Sequence, residues 1–188
     1  MHRDFIFIHS AGNQDGQNGS KPFLGRLETA LVGQFKMIAP DMPDPERPDC
    51  TKWLDEIGQA LSDPRPGSIL LGHSLGGSTI LQYLARNPQI LGENSSLSAV
   101  FIVAAPFWGL EDWEVSDFSL SDAEVMALQD QKSLFFCQSR DDLIVPFAHL
   151  DVYAGHFLGG TIITLEDAGH SMAYGDIDAL LEKIKLMQ

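Results

Sequence analysis

The sequence predicts an α/β fold, with a doubly wound, mostly parallel six-stranded sheet and helices on both faces. Three observations predict it. Short, almost wholly apolar runs alternate along the chain with longer segments whose apolar residues recur at helical spacing. The short runs lack the alternation of polar and apolar residues that a half-exposed strand shows, which indicates burial on both faces. Regular alternation of strand and helix favours parallel strands joined by helical crossovers.

Three strand–helix pairs make up the first half of the chain. The predicted strands are the apolar runs "DFIFIH", "FKMIAP" and "SILLGH", at 4–9, 35–40 and 68–73. Each precedes a segment with apolar residues at helical spacing, and these segments cover 23–34, 50–62 and 76–87. The second half repeats the pattern, with strands over 98–105, 133–138 and 160–166 and helices over 121–131, 145–157 and 174–187. No repeat or long linker divides the 188 residues, so we expect one domain over 1–188.

Charge and cysteine content restrict the classes of function. The net charge of −14 argues against a surface for nucleic acid or anionic lipid, because both require clustered Lys and Arg. The apolar run near the N-terminus is too short for a signal peptide, and no stretch approaches a membrane span, so we expect a cytoplasmic protein. Cys50 and Cys137 lie 87 positions apart and are expected to be free thiols.

The segment "GHSLG" at 72–76 matches the G-x-S-x-G motif, in which a serine lies on a tight turn between a buried strand and a helix. Small neighbours let the two backbones approach each other while the hydroxyl of Ser74 stays accessible. The helix that follows directs its free N–H groups toward the same point. A glycine-rich turn without chemistry is the alternative, which the strand–turn–helix context disfavours.

A serine nucleophile needs a general base, and the base needs an acid to orient it. The carboxyl ends of parallel strands meet at one edge of the sheet, so both partners are sought after later strands. An aspartate at 141 or 142 follows the fifth strand, and His170 follows the sixth, in the order Ser–Asp–His. The other histidines fit less well, since His73 should point away from the site and His149 lies within a predicted helix.

Backbone N–H groups must also stabilise the oxyanion of the tetrahedral intermediate. Leu75 follows the serine directly and supplies one candidate N–H. The second should come from the loop after the first strand, with Ala11 preferred and Ser10 as the alternative. Neither phosphate-binding glycine pattern occurs in that loop, so no phosphate-bearing cofactor is expected. The two cysteines lack the spacing of metal ligands, so no metal is expected either.

Five stretches resemble the small serine-hydrolase family of retinoblastoma-binding protein 9 and YdeN, within the α/β-hydrolase superfamily. They are "FIHSAGN", "DMPDPERPDCTKWLDEI", "GHSLGG", "SRDDLIVPF" and "DAGHSM", and they span nearly the whole chain. The resemblance implies a compact α/β-hydrolase fold and assigns the acid to Asp142, four residues before Pro146. Asp141 is then a neighbouring charge, expected to pair with Arg140. The family often has glycine where this chain has Ser10, and a tryptophan where it has Phe23.

Residues 105–124 are expected to form a short cap, because α/β hydrolases carry insertions after this strand. The segment contains aromatic residues, six acidic residues and no basic one. The predicted substrate pocket combines these aromatics with the loop after the first strand, and its residues are His9, Ser10, Phe107, Trp108 and Trp113. A solvated segment whose aromatics pack inward is the alternative.

The sequence thus favours a serine hydrolase that cleaves a small ester or amide, or a short peptide, through an acyl-enzyme. The ester, amide and peptide alternatives stay open, as does the choice between monomer and dimer. Two other hypotheses remain. One is a triad enzyme with acyltransferase or lyase chemistry. The other is a non-catalytic protein-interaction module. The resemblance implies that such a module would bind its partner through an L-x-C-x-E motif, and neither cysteine lies in one, which disfavours this hypothesis.

Overall fold

The computed structural model describes residues 2–14, 19–110, 112–114 and 116–187. Six strands form one sheet in the order β2-β1-β3-β4-β5-β6, and every neighbouring pair is parallel. The predicted fold class is therefore confirmed. The strands are β1 (Arg3–Ile8), β2 (Phe35–Ile38), β3 (Ser68–His73), β4 (Leu97–Val103), β5 (Leu134–Ser139) and β6 (Thr161–Leu165).

Helices cover both faces of the sheet. They are α1 (Lys21–Ala30), α2 (Cys50–Ala60), α3 (Leu75–Arg86), α4 (Asp122–Leu128), α5 (Ala148–His156) and α6 (Asp178–Leu186), with a 3₁₀ turn over Pro88–Leu91. One core cluster joins α1 and α6 to one face, through residues such as Phe23 and Leu180. A second cluster packs the four helices α2, α3, α4 and α5 against the other face, through residues such as Trp53 and Leu150. Alternate residues of β1, β3, β4 and β5 thus enter opposite cores, which accounts for their unbroken apolar runs.

Two helices begin three or four residues later than the sequence predicts. Helix α5 starts at residue 148 rather than 145, because the N–H of Val145 bonds to the carboxylate of Asp142 in a turn. Helix α6 starts at 178 rather than 174, because Gly175 has a positive φ of 67° in the turn that precedes it. Both differences lengthen loops at the carboxyl edge of the sheet, where the candidate site residues lie.

Both cysteines are free thiols, and Cys137 is buried in the sheet, as expected. Among the described residues, no helix has the length and apolar character needed to cross a membrane. The expected cap region, 105–124, includes Glu111 and Val115, which lie outside the described residues. Its described part holds an isolated antiparallel bridge between Leu110 and Trp113 and leads into α4.

Candidate active site

Ser74 lies at the turn between β3 and α3, in a backbone conformation that non-glycine residues seldom adopt. Its φ is 53° and its ψ is −123°. The N–H of Ser74 donates to the carbonyl of Val103 at 2.8 Å, so the turn remains bonded to the neighbouring strand. Such a conformation directs the side chain away from both flanking elements, which matches the tight turn that the motif predicts, known as a nucleophile elbow.

The glycines around Ser74 are required by close approach of backbones. A Cβ on Gly76 would lie 2.5 Å from the carbonyl oxygen of His9 and 2.6 Å from that of Ile8. A Cβ on Gly72 would lie 2.7 Å from the backbone of Gly76. These neighbours are backbone atoms that a side-chain rotation cannot move, so the helix start, the elbow and β1 fit together only with glycine here.

The structure brings Ser74, His170 and Asp142 into one chain of hydrogen bonds. His170 Nε2 lies 3.1 Å from Ser74 Oγ, and His170 Nδ1 lies 2.8 Å from Asp142 Oδ2. A carboxylate only accepts, so Nδ1 carries the proton that it donates to Asp142. In the neutral imidazole, Nε2 is then free to accept the hydroxyl proton of Ser74.

Asp142 is held by donors on both of its oxygens and is 5% exposed. Oδ1 accepts from the backbone N–H groups of Ile144 and Val145, at 2.8 and 2.9 Å. Oδ2 accepts from Gln138 Nε2 at 2.7 Å, besides His170. Gln138 also donates to the carbonyl of Val145, which ties the end of β5 to the turn after it. Sequence reasoning missed Gln138, although a polar residue ending an apolar strand was a usable signal.

Asp141 takes a different position from Asp142. Its carboxylate accepts from the hydroxyl of Ser139 at 2.5 Å and from the N–H of Gly169 at 2.8 Å. These hydrogen bonds lower the pKa of Asp141, and the bond from the Ser139 hydroxyl contributes most. The expected pairing with Arg140 is wrong, because that guanidinium bonds to Glu166 at 3.2 Å. Asp141 therefore holds the loop that carries His170, while its neighbour faces the imidazole.

His73 is buried, and its imidazole links three loops of the site. Its Nε2 lies 2.8 Å from the carbonyl oxygen of His170, which can only accept, so this nitrogen carries the proton. Its Nδ1 then accepts from the hydroxyl of Ser20 at 3.0 Å. Burial lowers the pKa of His73 to about 3, and the neighbouring His170 adds to the effect. A neutral imidazole thus joins the elbow to the backbone of His170.

The loop after β1 is fixed by Ser20 and by the 42–45 turn. The N–H of Ser10 donates to Ser20 Oγ at 2.7 Å, and the Ser10 hydroxyl lies 2.7 Å from the same oxygen. The N–H of Gly12 donates to the carbonyl of Pro45 at 2.7 Å. Ala11, between these two bonded residues, is exposed. The "MPDP" stretch that carries much of the family resemblance therefore supports the loop in which the second oxyanion donor is sought.

The predicted pocket residues lie in two places. His9 and Ser10 are each 7% exposed at the end of β1. Phe107 and Trp108 line a small interior cavity of about 10 Å³ together with Phe118, and neither Ser74 nor His170 lines it. Trp113 packs edge-on against Trp108, with ring centroids 5.1 Å apart, and against His149 at 5.5 Å. The cap aromatics thus pack on one another, and Phe107 and Trp108 also line a cleft of about 420 Å³ that neither Ser74 nor His170 lines.

His149 is buried, and its Nδ1 accepts from the N–H of Phe107 at 2.9 Å. Burial lowers the pKa of His149, while the nearby charge of Asp142 acts in the opposite direction. Its contact is with the segment after β4, consistent with a packing role. In the described ranges of the chain, no group of three or more His, Cys, Asp or Glu side chains is placed to hold a metal ion.

Structural comparisons identify the fold. The chain superimposes over its whole length on the ydeN gene product from B. subtilis, with a TM-score of 0.74, 19% identity and 98% of that chain covered. It also matches Est1E from Butyrivibrio proteoclasticus over 98% of this chain and 86% of the other, with a TM-score of 0.69 and 14% identity. The meta-cleavage product hydrolase CumD from Pseudomonas fluorescens matches over 98% and 90%, with a TM-score of 0.70 and 12% identity. The fold is that of the α/β hydrolases.

The family follows from the sequence itself. The family model described as serine hydrolase matches residues 26–185, most of the chain. This protein therefore belongs to the serine hydrolase family, and the predicted resemblance is confirmed. A sequence search of curated proteins found no match.

Proposed function

We propose that this protein hydrolyses a small ester or amide through an acyl-enzyme formed on Ser74. One observation carries the proposal: the unbroken chain of hydrogen bonds from Ser74 Oγ through His170 to the buried carboxylate of Asp142. The order of these residues, the strained backbone at Ser74 and membership of the serine hydrolase family support it.

In the first half of the reaction, His170 Nε2 takes the proton of Ser74 as Oγ attacks the substrate carbonyl carbon. The imidazolium that forms is stabilised by Asp142, whose Oδ2 accepts from Nδ1. Collapse of the tetrahedral intermediate breaks the bond to the leaving group, which receives the proton from Nε2. Water then attacks the acyl-enzyme, with His170 as base again, and releases the acid.

The oxyanion is stabilised in this proposal by the N–H groups of Leu75 and Ala11. Leu75 is the first residue of α3, so its N–H has no acceptor within the helix. Ser10, the alternative, already donates its N–H to Ser20, whereas Ala11 lies between two bonded residues in an exposed position. The positive end of α3 adds to the stabilisation at the same point.

Labelling with a fluorophosphonate probe tests the proposal, since the probe reacts with activated serines. Wild type should be labelled, and Ser74→Ala and His170→Ala should not be. Ser62→Ala is the matched control, because Ser62 is exposed at the end of α2, and it should be labelled like wild type. Labelling that persists in Ser74→Ala, or folded wild type that is not labelled, would overturn the proposal.

A further inference from the structure

The turn after β5 exposes two adjacent apolar side chains beside the candidate triad. Leu143 is 94% exposed and Ile144 is 61% exposed, whereas the next residue, Val145, is buried. Scattered single apolar residues are normal on a protein surface, but adjacent exposed apolar residues beside a site indicate a surface that binds a ligand. Leu143 and Ile144 are called the apolar ledge below.

The ledge is held by the same carboxylate that orients His170. Asp142 Oδ1 accepts from the N–H groups of Ile144 and Val145, and Gln138 bonds to the carbonyl of Val145. Its backbone thus has a fixed position relative to the imidazole. Exposed apolar side chains on a fixed turn are suited to contact a ligand, because little conformational entropy is lost on binding.

A cleft of about 580 Å³ adjoins the ledge. It is lined by Leu143, Ile144, Asp141, Gly169, His170 and Ser171. The cap aromatics Phe107 and Trp108 line a cavity of about 10 Å³ and a cleft of about 420 Å³, and His170 lines neither of them. Among the residues that the structure describes, this cleft is thus a volume beside His170 that a substrate can enter, and the ledge borders it.

We infer that this cleft binds the leaving group of the substrate, and that the leaving group is an apolar, uncharged alcohol or amine. The inference rests on the proposed function. His170 must protonate the leaving heteroatom, so that part of the substrate lies next to the imidazole. The cleft that His170 lines offers apolar contact on the ledge.

Charge at the cleft adds a second restriction. Asp141 lines it, its hydrogen bonds lower its pKa and keep it ionised, and no Lys or Arg is among the lining residues. A leaving group that carries a carboxylate would be repelled, so release of a free amino acid from a peptide is disfavoured. Neutral alkyl or aryl leaving groups are favoured.

The test uses acetate esters, whose acyl group stays constant while the alcohol grows from ethyl to butyl to hexyl. We expect kcat/KM to rise about twofold to fourfold per methylene, the range for partly to fully buried apolar contact. In Leu143→Ser/Ile144→Ser, the ratio of hexyl to ethyl ester should fall toward one. Leu158→Ser is the control, because Leu158 is 74% exposed in a turn that does not line the cleft. It should keep the wild-type ratio.

Charge is tested with 4-acetoxybenzoate and its methyl ester, which differ by one carboxylate on the leaving group. The methyl ester should react about threefold faster or more, with the difference shrinking at high salt. Turnover that depends on Ser74 but not on alcohol length or the ledge would overturn this inference alone. Loss of Ser74-dependent turnover and probe labelling in folded wild type would overturn the proposed function and the inference together.

Discussion

Replacing His73 by glutamine should remove a large part of the acid sensitivity of this protein's stability. His73 is 1% exposed, and burial lowers its pKa to about 3 from an ordinary value of 6.5. The unfolded chain therefore binds the proton more tightly than the folded protein does. The free energy of unfolding that depends on neutral His73 is fully present above pH 6.5 and falls as the pH drops from 6.5 toward 3.

The size of the effect follows from the two pKa values. Within this window each pH unit costs about 1.4 kcal/mol of the free energy of unfolding. Between pH 7 and pH 4.5, wild type should lose about 2.5 kcal/mol through His73 alone. This is a large fraction of the 5–15 kcal/mol or so that stabilises an ordinary domain.

Glutamine is the chosen replacement because it does not titrate and its amide can still donate to the carbonyl of His170. Urea unfolding of wild type and His73→Gln at pH 7 and pH 4.5 measures the difference. Carboxylates that titrate in the same range act equally on both proteins and cancel. His2→Gln is the control, because His2 is exposed, and it should lose as much stability as wild type.

The result that would refute this reasoning is an equal loss of stability in wild type and His73→Gln between the two pH values. That outcome would mean that the imidazole binds a proton as readily in the folded protein as in the unfolded chain. The assigned hydrogen bonds, with Nε2 donating to His170 and Nδ1 accepting from Ser20, would then lose their basis.

Three further predictions concern the site and its supports. Asp142→Asn should lower kcat/KM for an ester by about 10³- to 10⁴-fold and Asp141→Asn by less than about tenfold, since only Asp142 contacts the imidazole; a larger loss at 141 would contradict the assignment. Gly76→Ala should lose about 1–3 kcal/mol in urea unfolding, because its Cβ meets two backbone oxygens; unchanged stability would contradict this packing. Arg26→Ala removes 2.8 Å hydrogen bonds to the carbonyls of residues 172, 174 and 175, which hold the loop before α6. Chymotrypsin should therefore cleave after Tyr174 faster than in wild type, and equal rates would contradict this role of Arg26.

The choice between Asp141 and Asp142 shows where reasoning from the residues alone stopped. Two adjacent carboxylates after the same strand satisfy the same chain-order rule, and only the family resemblance separated them. In the structure, the turn directs Asp142 inward to the N–H groups of Ile144 and Val145, while Asp141 faces Gly169. The difference is one of direction across a turn, which residue type does not encode.

The supporting residues illustrate the same limit over longer distances. Ser20 bonds to His73, 53 positions away, and Arg26 bonds to Met172, 146 positions away. Neither residue stands in a motif, and neither spacing has meaning before the chain folds. The cap aromatics were identified as a segment, but whether they line an open pocket or pack on one another depends on how the helices close around them.

The spacing of apolar residues and the order of residues along the chain are properties of the sequence, and they determined the sheet and the approximate position of the site. The apolar runs determined a parallel sheet with two cores, and the rule that parallel strands end at one edge placed Ser74, an aspartate and His170 together. Only the tertiary structure decided which aspartate faces the imidazole, which N–H groups of the first loop are already bonded, and where a cleft opens beside His170. Those features depend on directions and distances of a few ångströms between distant segments, and such distances exist only once the chain is packed.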